Sequence, residues 1–152
     1  MKSAKKTPSA QQRPPKVSVI IPIDHTAPYL DECLASVTAQ SLQEIEILCI
    51  VSRRSDRSKK SVAAKARADS RYGVFPKDGP GTRGEYRNVG IDQARGDYIL
   101  FLDPEDQLNA PAALAQLLVI AESHGDDMVI GSSVCVSEPD GSERPLYPEI
   151  LN

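Results

Sequence analysis

The run Tyr98-Ile99-Leu100-Phe101-Leu102 carries no charged side chain until it opens into Asp103-Pro104-Glu105-Asp106, and this junction constrains the fold more than any other stretch. An unbroken apolar run of this length is the pattern of a strand covered on both faces in a parallel sheet. Open α/β sheets bind ligands beyond the C-terminal ends of their strands, so the carboxylates fall where a ligand belongs. Acids packed this closely repel one another unless a cation sits among them, and a hard divalent ion with oxygen ligands meets that need. An ordinary turn leading to a helix cap accounts for the same residues. The segment alone leaves both readings open.

The rest of the chain repeats the theme. Val17-Ser18-Val19-Ile20-Ile21 predicts a buried strand stopped by Pro22. Thr26 is placed to cap the next helix, Asp31 and Glu32 suit its first turn, and Leu30, Cys33, Leu34 and Val37 form its apolar stripe. Residues 45–51 read as a second buried strand interrupted only by Glu46, 57–69 as a helix, and 72–75 as a short strand. A loop over 76–84 and a helix to about Arg95 precede the strand that ends at Asp103. Asn109 as cap and Pro111 as first helical residue predict a further helix with Leu114, Leu117, Leu118 and Ala121 inward. Residues 128–130 begin a last strand, and Pro139-Asp140-Gly141 is a turn. Strands alternating with helices predict an α/β fold with a mostly parallel sheet flanked by helices.

A chain of 152 residues argues for one ordered domain, from residue 16 to 152. Residues 1–15, with Lys2, Lys5, Lys6, Arg13 and three prolines, read as a disordered basic tail. The net charge of -3, the absence of Trp and a mere two Phe argue against a nucleic-acid surface. Cys33, Cys49 and Cys135 are odd in number and widely spaced, which fits free thiols in a reducing compartment. No apolar run reaches the roughly 18 residues that span a bilayer, and the N-terminus lacks the apolar core of a signal peptide. A cytoplasmic location is expected, with the basic tail allowing peripheral attraction to the inner membrane face.

Gly79-Pro80-Gly81-Thr82-Arg83-Gly84 matches the dinucleotide pattern G-x-G-x-x-G in form. That motif needs a hydrophobic strand running directly into its first glycine, and here Pro76, Lys77 and Asp78 intervene, so a flexible loop is the expectation. Arg87, in the first turns of the following helix, is suited to bidentate pairing with a phosphate. His25 follows the C-terminal end of the first strand, in reach of a ligand there. With His25 and His124 the only histidines, no Ser/His/Asp or Cys/His constellation is available.

Taken in order, these segments resemble the N-terminal half of a family 2 glycosyltransferase of the GT-A fold. The resemblance runs from about Val17 to Val136. Its marks are Val17-Ser18-Val19-Ile20-Ile21-Pro22, Tyr29-Leu30-Asp31-Glu32-Cys33-Leu34-Ala35-Ser36-Val37 with Gln40, Ile45-Glu46-Ile47, Arg87-Asn88-Val89-Gly90, Ala94-Arg95-Gly96-Asp97-Tyr98 and the acidic turn. It implies an enzyme of polysaccharide biosynthesis that binds a nucleoside-diphosphate sugar, a UDP-sugar first, and transfers the sugar with inversion to a glycan or lipid-linked acceptor. By that likeness Pro22 and Ile23 line the base pocket, with His25 and Ser52 beside the nucleotide, and Arg87 sits near it. Asp103-Pro104-Glu105 takes the D-x-D position, with Asp103 and Glu105 as ligands of Mg²⁺ or Mn²⁺.

Departures from the family accompany the likeness. An Asp pair is usual after the second strand, where Val51, Ser52, Arg53 and Arg54 stand; Asp24 and His25 replace an aromatic and an Asn; and Glu105 replaces an Asp. The general base and acceptor elements of the family lie beyond the position of Asn152. Asp103 and Glu105, as metal ligands, are not free to act as base, and Asp126 and Asp127 adjoin the start of a strand, at the wrong edge. Weak donor binding or none, and no sugar transfer, is therefore expected of this chain by itself. The alternative is a non-catalytic module that keeps the fold for nucleotide or protein binding.

Overall fold

The computed structural model describes residues 14–24, 27–53, 56–137 and 140–145. Most of the predicted basic tail, Thr26 and Pro139 lie outside them. The chain divides into two compact units, one ending at Pro111 and the other beginning at Ala112.

The first unit is an α/β sandwich. Strands β1 (Val17–Ile23), β2 (Ile45–Ser52), β3 (Tyr72–Lys77) and β4 (Tyr98–Phe101) alternate with helices α1 (Leu30–Thr38), α2 (Asp56–Ala68) and α3 (Arg83–Gln93). The sheet order is β3-β2-β1-β4 and every pairing is parallel. All C-terminal strand ends therefore lie along one edge. β1 and β2 are buried from end to end, which is why their sequences lack the polar alternation of a half-exposed strand.

Helices cover both faces of these central strands. Ile20, Leu48 and Ile50 gather around Tyr86 of α3, joined by Phe75, Val89 and Ala94. Cys49 has the opposite parity, and the buried Cys33 of α1 adds to the pressure on its thiol. Leu30, Cys33, Leu34 and Val37 are all buried, as their helical spacing requires. The approach of α3 to β1 depends on Gly90, since a Cβ there would stand 2.4 Å from Ile20 Cγ2.

Several boundaries differ from those expected. β1 continues through Pro22, which pairs in register with Ile50. Pro22 has the parity of Ile20, whose carbonyl accepts from Leu102 N–H. Its missing N–H therefore faces the side where β4 has already ended, and no ladder bond is lost. β3 likewise runs through Pro76 to Lys77, as an edge strand permits. β4 is not covered on both faces: Ile99 and Phe101 are 43% and 42% exposed, because β4 is the last strand of the described sheet. Helix α1 begins after Tyr29 without a side-chain cap.

The second unit holds α4 (Ala113–His124), which buries Leu114, Leu118 and Ala121 and ends at Gly125 with φ +70°. Its N-cap is Ala112, so neither Asn109 nor Pro111 has the role their types suggested. Residues 128–130 form no strand. The chain instead makes an antiparallel hairpin of β5 (Val134–Val136) and β6 (Glu143–Pro145), with Gly141 at φ +68° in the turn.

Candidate functional site

The end of the sheet opposite the site is closed by a polar lock. Glu46, buried in β2, accepts from Ser18 Oγ at 2.7 Å, from Arg95 N at 2.6 Å and from the Arg95 guanidinium at 2.9 and 2.7 Å. Gly96 N donates to the same Ser18 Oγ at 2.9 Å, and a Cβ at Gly96 would lie 2.6 Å from Ser18 N. Burial works to raise the Glu46 pKa, but the hydrogen bonds from Ser18 and Arg95 outweigh it and hold the carboxyl below its ordinary value. The α3–β4 connection is thereby pinned to β1 and β2, which sets where β4 runs and where its acidic turn emerges.

At the C-terminal edge that turn is held by β1, by α1 and by the residues just after α1. Leu102 N donates to Ile20 O at 3.0 Å, Cys33 Sγ to Asp103 O at 3.5 Å, and Leu108 N to Ser36 Oγ at 3.1 Å. The buried Gln40 amide donates to Ala110 O at 2.8 Å. A thiol suits this position, since burial and the nearby charges of Asp106, Glu105 and Asp103 push the Cys33 pKa up to about 12 and keep it a neutral donor.

The carboxylates meet two guanidinium groups from the first turns of α3. Arg83 Nη1 bonds Asp103 Oδ2 at 2.8 Å while its Nη2 bonds Glu105 Oε1 at 2.7 Å, so one fork spans both acids. Arg87 Nη2 bonds Asp103 Oδ1 at 2.8 Å, and its Cζ stands 5.4 Å from the centre of the Phe101 ring. The hydrogen bond to Glu105 leads in raising the Arg83 pKa, with the charges of Asp103, Glu105 and Asp24 adding to it. Asp106 is pushed up, first by burial and then by Asp103 and Glu105.

Of the residues singled out by sequence, Asp103, Glu105 and Arg87 come together in one hydrogen-bonded cluster. Pro22 and Ile23 end β1, and Ser52 ends β2, at the same edge of the sheet. The Ile23 side chain is fully buried and Ser52 is nearly so. His25 lies outside the described residues. The glycine-containing loop ends in a capping box, with Thr82 Oγ1 accepting from Glu85 N and Glu85 Oε2 accepting from Thr82 N. Thr82-x-x-Glu85 is a legible signal for that start, and the loop is the helix's N-terminal boundary. Arg83 was missed. Its signal was the i, i+4 spacing to Arg87, which puts both cations on one face of α3.

Asp103 and Glu105 offer hard carboxylate oxygens on one short turn. Among the described residues no three His, Cys, Asp or Glu side chains converge to form a metal cage. Mg²⁺ is commonly held by one or two carboxylates together with substrate phosphates. The donor set fits such an ion, provided that a phosphate supplies the remaining ligands.

A model of the glycosyl transferase family 2 matches residues 18–151. Glycosyltransferase GlyG of Streptococcus pneumoniae is 30% identical over 83% of this chain, which covers 42% of GlyG. A β-1,3-glucosyltransferase of Campylobacter jejuni that acts on GalNAc(5)-diNAcBac-PP-undecaprenol is 32% identical over 84% of the chain and is covered over 40% of its length. The chain thus spans about two fifths of these curated relatives. Among solved structures, the mannosyltransferase PcManGT of Pyrobaculum calidifontis, in complex with GDP-Man and Mn²⁺, superposes with a TM-score of 0.66 at 21% identity, over 84% of this chain and 37% of that one. TarS 1-349 of S. aureus in complex with UDP-GlcNAc superposes with a TM-score of 0.61 at 27% identity, over 78% and 33%. A parallel sheet with an acidic turn at its C-terminal edge, and a family match running through nearly all of both units, make this chain a member of glycosyl transferase family 2.

Proposed function

We propose that residues 16–152 are the donor-binding half of an inverting sugar transferase, and that they take a nucleoside-diphosphate sugar, a UDP-sugar first. The observation that carries this is the pairing of Asp103 and Glu105 on the turn leaving β4, with Arg87 bonded to Asp103 and stacked on Phe101. TarS, solved with UDP-GlcNAc, supports the choice of donor.

Asp103 and Glu105 are the residues that would hold Mg²⁺ or Mn²⁺. When bound, the cation offsets the charge that gathers on a departing diphosphate. Arg87 contributes a fixed positive charge on the same side, because its contact with Phe101 and its bond to Asp103 restrict its rotamers. Pro22, Ile23 and Ser52 border the base, with His25 next to it. The buried Ile23 serves by its backbone and by filling the space below, whereas Ser52 stands where the family has an acid. A shortened base site of this kind predicts weak donor affinity. The acceptor is a glycan or a lipid-linked sugar, as the undecaprenol-linked substrate of the Campylobacter relative suggests. Work at the cytoplasmic face of the membrane in polysaccharide biosynthesis fits such an acceptor. No helix among the described residues is long and apolar enough to cross a membrane.

A second reading has its own observation. Three carboxylate oxygens, Oδ1 and Oδ2 of Asp103 and Oε1 of Glu105, are already bonded to guanidinium nitrogens. A module that keeps the fold without catalysis would show this self-satisfied cluster. Calorimetric titration with UDP-GlcNAc, UDP-glucose and GDP-mannose, with and without Mn²⁺, separates the two. Donor binding that needs Mn²⁺ and is lost in Glu105→Gln is expected. No donor binding by the parent, or equal binding by parent and variant, would favour the non-catalytic module.

A further inference from the structure

Arg83 is the member of the acidic cluster to which donor binding assigns no task. Its fork lies across the Asp103–Glu105 pair, at 2.8 Å from one and 2.7 Å from the other. A guanidinium in that position supplies between the two carboxylates the positive charge that a divalent ion would supply. The two arginines differ in how firmly they are placed. Arg87 has a buried Nε, a bond to Asp103 and the Phe101 ring beneath it. Arg83 is the first residue of α3, directly after Thr82. Its bonded partners across the edge are the same two acids; the two arginine side chains are equally exposed, at 36%, and what sets Arg87 apart is the ring beneath it and its buried Nε. Its long stem can leave the turn without unpacking anything in the core.

Resting on donor binding as proposed above, we propose that Arg83 is a tethered cation that occupies the Asp103–Glu105 pair until a diphosphate arrives, so that metal binding by this chain is coupled to nucleotide binding. The physical reason is charge exchange. Without nucleotide, freeing Asp103 and Glu105 for a divalent ion strips Arg83 of two charge-assisted hydrogen bonds and leaves it to water and the nearby charge of Asp24. With a diphosphate at the same edge, the fork finds phosphate oxygens of matching geometry, to which a guanidinium binds bidentately. Arg83 then trades carboxylate for phosphate with nothing left unpaired.

Mn²⁺ binding, followed by electron paramagnetic resonance of the free ion, tests this in the full chain without any nucleotide. Arg83→Ala should bind Mn²⁺ about tenfold more tightly than the parent, the order expected when two half-exposed ion pairs no longer compete. Arg83→Lys, which keeps the charge but not the fork, should fall between them. It also carries the test should Arg83→Ala fail to melt cooperatively by circular dichroism. Mn²⁺ affinities equal to the parent's in the folded variants, including no binding by any of them, would overturn the proposal. A parallel titration with UDP should show that adding the nucleotide tightens Mn²⁺ binding to the parent more than to Arg83→Ala; an equal gain in both would also overturn it. Failure of donor binding is recognised separately, as absence of UDP binding in parent and variant alike, while the nucleotide-free Mn²⁺ comparison still decides for or against Arg83.

Discussion

Replacing Glu46 with Gln should destabilise the protein by about 2–3 kcal/mol while leaving the site at the far edge of the sheet intact. Glu46 is 5% exposed. It takes one set of bonds from Ser18 Oγ and Arg95 N, and another from Arg95 Nε and Nη2. A Gln oxygen placed at Oε1 keeps the first set. Its amide nitrogen then faces the guanidinium donor to donor, and two charge-assisted bonds are lost. Such bonds are worth about 1.5–3 kcal/mol each. The Arg95 side chain is 74% exposed and retreats into water, so about half of that sum survives. For a chain of this size the loss corresponds to a fall in Tm of roughly 8 °C. The pH dependence has a definite sign. The Glu46 pKa is lowered in the fold, so its contribution is complete above the ordinary carboxyl value and fades as pH falls through the depressed one. Urea unfolding followed by far-ultraviolet circular dichroism should therefore show a wide gap between parent and variant at about pH 7 that narrows toward about pH 3. A gap below about 0.5 kcal/mol at neutral pH, or one that stays constant down to about pH 3, would refute the reasoning.

Gly90→Ala should cost about 1–3 kcal/mol in the same assay, since the new Cβ would stand 2.4 Å from Ile20 Cγ2 between α3 and β1; a neutral result would mean that the helix can shift freely. Asp103→Asn should lower thermal stability by no more than about 1 kcal/mol, because the Arg83 and Arg87 pairs are partly exposed, yet should remove Mn²⁺-dependent donor binding. Titration with a thiol reagent near neutral pH should label Cys135 quickly and leave Cys33 and Cys49 unreacted until urea is added. Cys33 and Cys49 are buried, and burial pushes the Cys33 thiol up to about 12 and the Cys49 thiol higher still. Rapid labelling of Cys33 in the native protein would show that α1 opens away from the acidic turn.

Much of the fold was legible because burial leaves a periodic trace. Strands covered on both faces, as β1 and β2 are, become unbroken apolar runs, and the stripe of α1 recurs at helical spacing. The acidic turn was legible as well, because three carboxylates together demand compensation. What local sequence does not carry is the identity of the partner that provides it. Asp103 and Arg83 are joined by a contact twenty residues apart along the chain, and Glu46 and Arg95 by one across forty-nine, so each pair reads as unrelated charges until the sheet closes. Pro22 and Pro76 looked like strand ends because a proline lacks an N–H, yet whether that donor is missed depends on whether a neighbour strand lies alongside, which is decided by sheet order. β4 illustrates the reverse case: its apolar residues promised burial on both faces, but its place at the end of the described sheet leaves Ile99 and Phe101 partly exposed. Sequence determines which residues want burial or a counter-charge, since that is a property of each side chain. Which residue answers the want is set by tertiary structure alone, because it requires two distant parts of the chain to arrive at the same edge.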